Sequence, residues 1–193
     1  MRLPTQLVLA STSPYRKALL ERLGLRFEVA APDVDERVLP GEAPAETAKR
    51  LAERKAVAVR AAFPDAVIIG SDQVAACGSE RLDKPGNHDN AVRQLRSLSG
   101  KAADFHTAVC VAQRDRAETA VVVCRVQFRE LDERRIEAYL RRERPYDCAG
   151  SAKAEGLGIA LIERMETDDP TALIGLPLIA LTGMLERAGL PVL

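Results

Sequence analysis

The chain has 193 residues, of which 47% are hydrophobic, and this is enough for one domain or two closely packed lobes with a substantial core. Lysine plus arginine and aspartate plus glutamate each number 28, so the charge is balanced. A general nucleic-acid or membrane-surface binder would carry a basic excess, and aromatic residues are also scarce at 4%. Balanced charge still allows a nucleotide ligand, which needs only a local cluster of cations.

No apolar run approaches the roughly 18 residues that a membrane span requires. The segment Met1–Gln6 lacks the layout of a signal peptide, so the expected location is cytoplasmic and no membrane partner is expected. The four cysteines are widely spaced and form no Cys-x-x-Cys pair, which argues against a zinc site and against disulfides.

The first strand, predicted at 6–12, leads directly into a helix predicted at 14–23. Ser13 suits the N-cap position, and Pro14 suits the first helical position, where its missing N–H costs nothing. Free backbone N–H groups, the positive end of the helix dipole and Arg16 together favour an anion, most simply phosphate. The alternative is an ordinary capped strand-to-helix turn.

Farther along the chain, strands are predicted at about 27–30, 67–70, 105–112, 119–128 and 157–162, and helices at about 45–62, at 88–98, from 132, and from 177 to 189. Strands that alternate with helices and are followed by a hairpin indicate an α/β fold with a mixed sheet flanked by helices. If the first two long strands are parallel, Ser11 and Asp72 at their carboxyl ends become neighbours, where ligands of such sheets collect.

Two residues stand out by their position in these elements. Lys55 falls inside the apolar stripe of its own helix, so its cation either reaches out past the core or points into a cleft. Asp72 follows a buried apolar strand, where it could serve as a catalytic acid or base or simply bond nearby amides as a turn residue. The acidic run 33–36 has the oxygen donors that Mg²⁺ prefers, although such runs usually face solvent.

Several of these segments resemble the Maf proteins, a family of nucleoside triphosphate pyrophosphatases. The similar segments follow the family's order and spacing: Leu9-Ala10-Ser11-Thr12-Ser13-Pro14-Tyr15-Arg16, Val34-Asp35-Glu36, Leu51-Ala52-Glu53-Arg54-Lys55-Ala56, Ile69-Gly70-Ser71-Asp72-Gln73, Lys84-Pro85 and Gly175-Leu176-Pro177-Leu178. They extend over nearly the whole chain. The resemblance implies one Maf-like domain over 1–193, with an elongated, two-lobed fold like that of inosine triphosphatase and a central cleft. Maf-like proteins often form dimers, so a homodimer is compatible with the resemblance.

The resemblance also implies roles for individual residues. Asp72 matches the acidic residue thought to act as general base, with a divalent metal, Mg²⁺ or Mn²⁺, lowering the pKa of the attacking water. Metal ligation is assigned to Glu36 and Asp72. Phosphate binding is assigned to Ser11, Arg16, Lys55 and Lys84, whose cations offset charge on the triphosphate and on the leaving pyrophosphate.

Substrate choice is expected to depend on Tyr15, Gln73 and Glu155, which resemble the branch of the family that hydrolyses 7-methyl-GTP. An aromatic ring favours the cationic methylated base by about 0.5–2 kcal/mol, and a carboxylate can accept two N–H groups of guanine. A tryptophan is expected at position 15 in that branch, and Tyr15 offers a smaller stacking surface.

The prediction is therefore hydrolysis of 7-methyl-GTP to 7-methyl-GMP and pyrophosphate, a house-cleaning role against modified nucleotides. The alternatives are a dTTP/UTP or broad-range Maf enzyme and a non-catalytic nucleotide-binding regulator of cell division. A nucleic-acid-binding module is disfavoured by the neutral charge.

Overall fold

The computed structural model describes residues 6–193, which form seven strands and five α-helices. The strands are β1 (Leu7–Ala10), β2 (Glu28–Ala30), β3 (Val67–Cys77), β4 (Glu80–Leu82), β5 (Ala102–Gln113), β6 (Arg116–Phe128) and β7 (Ile162–Glu166). The helices are α1 (Pro14–Glu21), α2 (Pro44–Ala58), α3 (His88–Leu98), α4 (Glu133–Glu143) and α5 (Leu178–Arg187). Short 3₁₀ segments occupy 149–151, 157–161 and 172–174.

All seven strands belong to one mixed sheet, which confirms the predicted α/β class. The strand order is β2-β1-β3-β5-β6-β7, with β4 paired to β3. The β1 strand is parallel to both β2 and β3, whereas β4 is antiparallel to β3 and β7 is antiparallel to β6. The β1 and β3 strands are parallel, the condition on which the predicted proximity of Ser11 and Asp72 rested, and Ala10 lies opposite Gly70, so Ser11 follows next to Ser71, one residue before Asp72.

The chain divides into two compact units. Among the described residues, the first comprises 6–73 together with Thr107–Val122 and Asp169–Leu193, and the second comprises Val74–His106 and Val123–Asp168.

The core of the first unit follows from the alternation of side chains along β1 and β3. Leu9 and Ile69 point to one face, where they join a cluster that includes residues of α1 and α5. Gly70 lies on the opposite face against α2, and a Cβ atom there would approach the carbonyl oxygen of Ala52 to 2.1 Å. The absence of a side chain at Gly70 therefore lets α2, which carries Lys55, lie directly on the strand.

In the second unit, α3 and α4 pack against each other. The α3 helix has the predicted bounds because Asn87 caps it, accepting from the N–H of Asn90 at 2.9 Å. The α4 helix is capped by Asp132, at its predicted start, and buries Ile136, Tyr139 and Leu140.

Three predictions of secondary structure were wrong. The β3 strand does not end at the polar residues after Gly70 but continues through Asp72 to Cys77. The segment 157–162 is mostly a 3₁₀ turn, and the strand of this region is β7, whose last residues are exposed and lack an apolar pattern. The α2 helix ends at Ala58 rather than near 62.

The prediction made from Met1–Gln6 falls almost wholly outside the described residues. Within residues 6–193, none of the helices has the length and apolar character needed to cross a bilayer. All four cysteines are free thiols, and burial raises the pKa of Cys124 to about 11.

We expect Gly70→Ala to lower the free energy of unfolding by about 3 kcal/mol, because the new methyl group would meet helix backbone that cannot move aside. Urea denaturation measures the change. Gly183→Ala is the matched control: its Cβ would meet only the flexible end of Arg187, at 3.3 Å, and the substitution is expected to be neutral or to stabilise α5 by up to about 1 kcal/mol. Equal losses in both variants would contradict the assigned close approach.

Candidate active site

A buried lysine between two carboxylates forms the centre of the site. The Lys55 Nζ atom lies 2.6 Å from Asp72 Oδ1 and 2.7 Å from Glu36 Oε1. Lys55 is 6% exposed and Asp72 is 7% exposed, so this pair is withdrawn from water. The Lys55 cation does not extend into solvent: it binds the buried Asp72 on one side and the exposed Glu36 on the other.

The acidic loop before α2 contributes only one of its carboxylates to this cluster. The Asp35 carboxylate binds its near neighbour Arg37, whose hydrogen bonds lower the pKa of Asp35 to about 2. The Glu36 side chain turns to Lys55 while remaining 60% exposed. Glu36 is therefore the member of the loop that is both close to Asp72 and accessible to a ligand.

The turn between β1 and α1 has the geometry that the sequence predicted. The Ser13 hydroxyl caps α1 by accepting from the N–H of Arg16, and the buried Ser11 hydroxyl accepts from the N–H of Ser13 at 3.1 Å. The Arg16 guanidinium donates through Nε to the carbonyl of Gly175 at 2.9 Å. Burial lowers the pKa of Arg16, and the charges of Asp72 and Glu36 oppose this effect. Arg16 therefore lies within electrostatic range of both carboxylates, and we call Arg16, Glu36, Lys55 and Asp72 the charged cluster.

Polar residues of β3 are fixed by bonds to distant parts of the chain. The buried Ser71 hydroxyl lies 2.8 Å from the carbonyl of Ala108 and 2.9 Å from that of Gly175. The Gln73 amide nitrogen lies 2.9 Å from Thr107 Oγ1 and also contacts the carbonyls of residues 172 and 173. The two residues next to Asp72 in β3 are therefore both hydrogen-bonded to distant parts of the chain, and this fixes Asp72 between them.

Local sequence patterns assign no role to Ser71, Gly175 or Asp169, although Gly175 and Ser71 bond beside the charged cluster and Asp169 fixes the start of α5. The Gly175 carbonyl accepts from both Arg16 and Ser71, and its φ of +122° is a conformation that favours glycine. The Asp169 carboxylate is 2% exposed and accepts from the N–H of Ile179 at 2.7 Å, which caps α5 from outside the helix. The Gly-Leu-Pro motif was visible in the sequence, but the polar partners of its carbonyl were not.

Arg16, Glu36, Lys55 and Asp72 are brought together by the first compact unit. Tyr15 is half-buried on α1 in the same unit. Lys84 and Glu155 belong to the second unit, where both side chains are exposed, so their roles stay predictions.

The donor set of this cluster suits a hard divalent cation. Glu36 and Asp72 place carboxylate oxygens within 2.7 Å of one common atom, Lys55 Nζ, so both can approach a single ion. Mg²⁺ commonly takes only one or two carboxylates and completes its shell with water and phosphate oxygens. Within residues 6–193 there is no group of three or more His, Cys, Asp or Glu side chains that could hold a metal by itself. Such an ion would therefore depend on the substrate for further ligands.

Residues 6–188 match the family model described as Maf-like protein. The chain belongs to the Maf family. Three relatives named 7-methyl-GTP pyrophosphatase match nearly the whole chain at 55–56% identity. The protein from Cupriavidus pinatubonensis is 55% identical over 96% of this chain and 94% of its own length. The one from Nitrosococcus oceani is 55% identical over 98% and 96%, and the one from Bordetella pertussis 56% over 97% and 94%.

Among solved structures, the Ham1 protein of Staphylococcus aureus is 18% identical, covers 65% of this Maf chain and superposes with a TM-score of 0.45. A Ham1 protein from Coxiella burnetii is 16% identical and gives a TM-score of 0.46.

We expect Lys55→Met to lower the free energy of unfolding by about 3 kcal/mol, because it leaves the buried Asp72 carboxylate without its cation. Lys17→Met is the control, since Lys17 forms only an exposed pair with Glu21, and about 0.5 kcal/mol or less is expected. Chemical denaturation of both variants gives the two values.

Adding Asp72→Asn to Lys55→Met should recover part of that loss, because the uncompensated buried charge is then removed as well. Strict additivity of the two single substitutions would contradict the pairing.

Proposed function

We propose that this Maf protein hydrolyses 7-methyl-GTP to 7-methyl-GMP and pyrophosphate, and so removes modified nucleotides. The observation that carries the proposal is the buried Lys55–Asp72 pair, joined by Glu36 and placed beside Arg16. This arrangement combines a candidate base with cations suited to phosphate. The names of the relatives with 55–56% identity support the reaction and the base.

In the proposed reaction, a water molecule attacks the α-phosphorus, the bond from that phosphorus to the α–β bridging oxygen breaks, and pyrophosphate leaves with the bridging oxygen. Asp72 acts as the general base. Lys55 Nζ already binds Oδ1, so we assign acceptance of the water proton to the other oxygen, Oδ2. Ser71 and Gln73, on either side of Asp72 in β3, are hydrogen-bonded to other parts of the chain. These bonds hold the strand, and with it the Asp72 carboxylate, in place.

Two cations of the cluster are assigned to the triphosphate. An ammonium has three N–H donors, and Glu36 and Asp72 take two of those on Lys55, which leaves one for a phosphate oxygen. The Nε of Arg16 is held by Gly175, so its terminal nitrogens are the part that binds phosphate. Lys84 and the Ser11 hydroxyl, which lies in the turn between β1 and α1, complete the proposed phosphate contacts.

Glu36 and Asp72 are the residues that would hold a divalent cation, Mg²⁺ or Mn²⁺. When bound, such an ion lowers the pKa of water and neutralises charge on phosphate oxygens. The exposure of Glu36 supports this assignment, because its carboxylate can reach an ion that arrives with the nucleotide.

Recognition of the base is assigned to Tyr15, Gln73 and Glu155. The ring of Tyr15 would stack on the cationic methylated guanine, and the exposed Glu155 carboxylate would accept its N1–H and N2–H. The Gln73 amide nitrogen is engaged by Thr107 and backbone carbonyls, so Oε1 is the atom through which Gln73 would act on the substrate.

We expect Asp72→Asn to reduce kcat for 7-methyl-GTP by a factor of about 10²–10⁴, the usual contribution of a general base. Pyrophosphate release is measured from 7-methyl-GTP, GTP, UTP and dTTP with Mg²⁺ or Mn²⁺, and with the metal removed by chelation. Asp65→Asn is the control, because Asp65 is 87% exposed and has only a 3.8 Å pair with Arg114. Full activity of Asp72→Asn would overturn the assignment of the base, and a wild-type preference for UTP or dTTP would overturn the substrate.

Glu155→Gln should lower the preference for 7-methyl-GTP over GTP by about tenfold, because a neutral amide loses its attraction to the cationic base. The ratio of kcat/KM for the two nucleotides measures the preference. Glu163→Gln makes the same chemical change at an exposed position of β7 and should leave the ratio unchanged. An unchanged ratio in Glu155→Gln would place recognition of the methylated base elsewhere.

A further inference from the structure

The loop that carries Glu155 is a tight turn, comprising residues 151–158. The N–H groups of Gly156 and Gly158 both donate to the carbonyl of Lys153 at 3.0 Å, which folds the backbone back around Glu155. A Cβ atom at Gly158 would lie 2.5 Å from the carbonyl oxygen of Lys153, so the turn cannot accept a side chain there without rearrangement. Glu155 itself is exposed on this turn.

The α4 helix holds the 151–158 loop on both sides of Glu155. On the side before it, the Tyr139 hydroxyl accepts from the N–H of Lys153 at 3.0 Å. On the side after it, Glu143 Oε2 accepts from the N–H of Leu157 at 2.6 Å. The other oxygen of Glu143 pairs with Lys153 Nζ at 3.0 Å, so one carboxylate joins the two ends of the turn.

Burial and close packing indicate that these contacts are firm. Tyr139 is 5% exposed, and the Glu143 side chain is 12% exposed. A Cβ atom at Gly156 would lie 2.6 Å from Glu143 Oε2, so this glycine lets the loop backbone approach the carboxylate. The hydrogen bond from Leu157 and the pair with Lys153 lower the pKa of Glu143.

The position of Glu143 on α4 does not stabilise the helix. A carboxylate in the last turn of a helix faces the negative end of the helix dipole, where cations are favoured. The contacts of Glu143 with the 151–158 loop offset this unfavourable position, so the structural effect of Glu143 is on the loop.

We propose that Tyr139 and Glu143 are positioning residues that fix the 151–158 loop, and through it Glu155, for discrimination of the nucleobase. The inference rests on the proposed function of Glu155. Neither residue touches the substrate in this proposal; both act by holding the backbone on either side of the residue that does.

The test compares Glu143→Ala, Glu143→Gln and Tyr139→Phe with wild type. The readout is the ratio of kcat/KM for the two best wild-type nucleotides, measured on one preparation so that any unfolded fraction cancels. We expect Glu143→Ala to lower the ratio by about tenfold, through KM of the preferred nucleotide rather than kcat, because a mobile loop binds the base less well. Glu143→Gln keeps an acceptor for Leu157 and should restore part of the ratio. Tyr139→Phe, which removes one neutral acceptor, should lower it by about threefold.

Glu133→Gln is the matched control, an identical change on the same helix at a residue whose partner is the exposed Arg96. It should leave the ratio at the wild-type value. Hydrogen exchange of the ligand-free protein is the second measurement, and the amides of residues 153–157 should exchange faster in Glu143→Ala and Tyr139→Phe than in Glu133→Gln.

Unchanged exchange at 153–157, or an unchanged ratio with faster exchange, would overturn the positioning role. A wild-type preference for UTP or dTTP would instead overturn the proposed substrate. The positioning role is then still judged from the change in the ratio between whichever two nucleotides wild type prefers.

Discussion

Charge balance around the Lys55 ammonium is the constraint on which the site depends. Two cations, Arg16 and Lys55, face two carboxylates, Glu36 and Asp72, so the cluster is neutral before any ligand binds. Burying Lys55 and Asp72 separately would cost several kcal/mol each, and their contact offsets that cost. A triphosphate adds several negative charges to this neutral cluster. Further positive charge must then be supplied when the nucleotide binds, which is a physical reason to expect a divalent cation with it.

Backbone contacts around this cluster fix the positions of Lys55, Asp72 and Arg16. Gly70 lets α2 lie against β3, which fixes the approach of Lys55 to Asp72. The carbonyl of Gly175 accepts from both Arg16 and Ser71, so the strand that carries Asp72 and the helix that carries Arg16 share one acceptor. Electrostatic catalysis requires such preorganisation, because groups already in place do not have to move when charge develops on the phosphates.

Local sequence patterns predicted those parts of the structure whose causes are local. The bounds of α3 were predicted from the helical spacing of its apolar residues, and β1 and β3 pair in the parallel direction that the α/β pattern allowed. The end of β3 was predicted too early because Ser71 and Gln73 read as loop residues. Their polar groups are satisfied by residues 104 and 99 positions away, which no local pattern reveals. Within the candidate site, the residue types of Arg16, Lys55 and Asp72 were visible, whereas their partners depended on the fold.

The shared carbonyl of Gly175 also affects the order in which the bonds of the first unit can form. A chain is synthesised from its N-terminus, so β1, α1 and α2 exist before residue 175 has been added. Until then neither Arg16 nor Ser71 has the acceptor that holds it in the finished protein. The bonds from Arg16 and Ser71 to Gly175 can therefore form only late in translation. The Lys55–Asp72 pair, by contrast, lies within the part of the chain that is synthesised first.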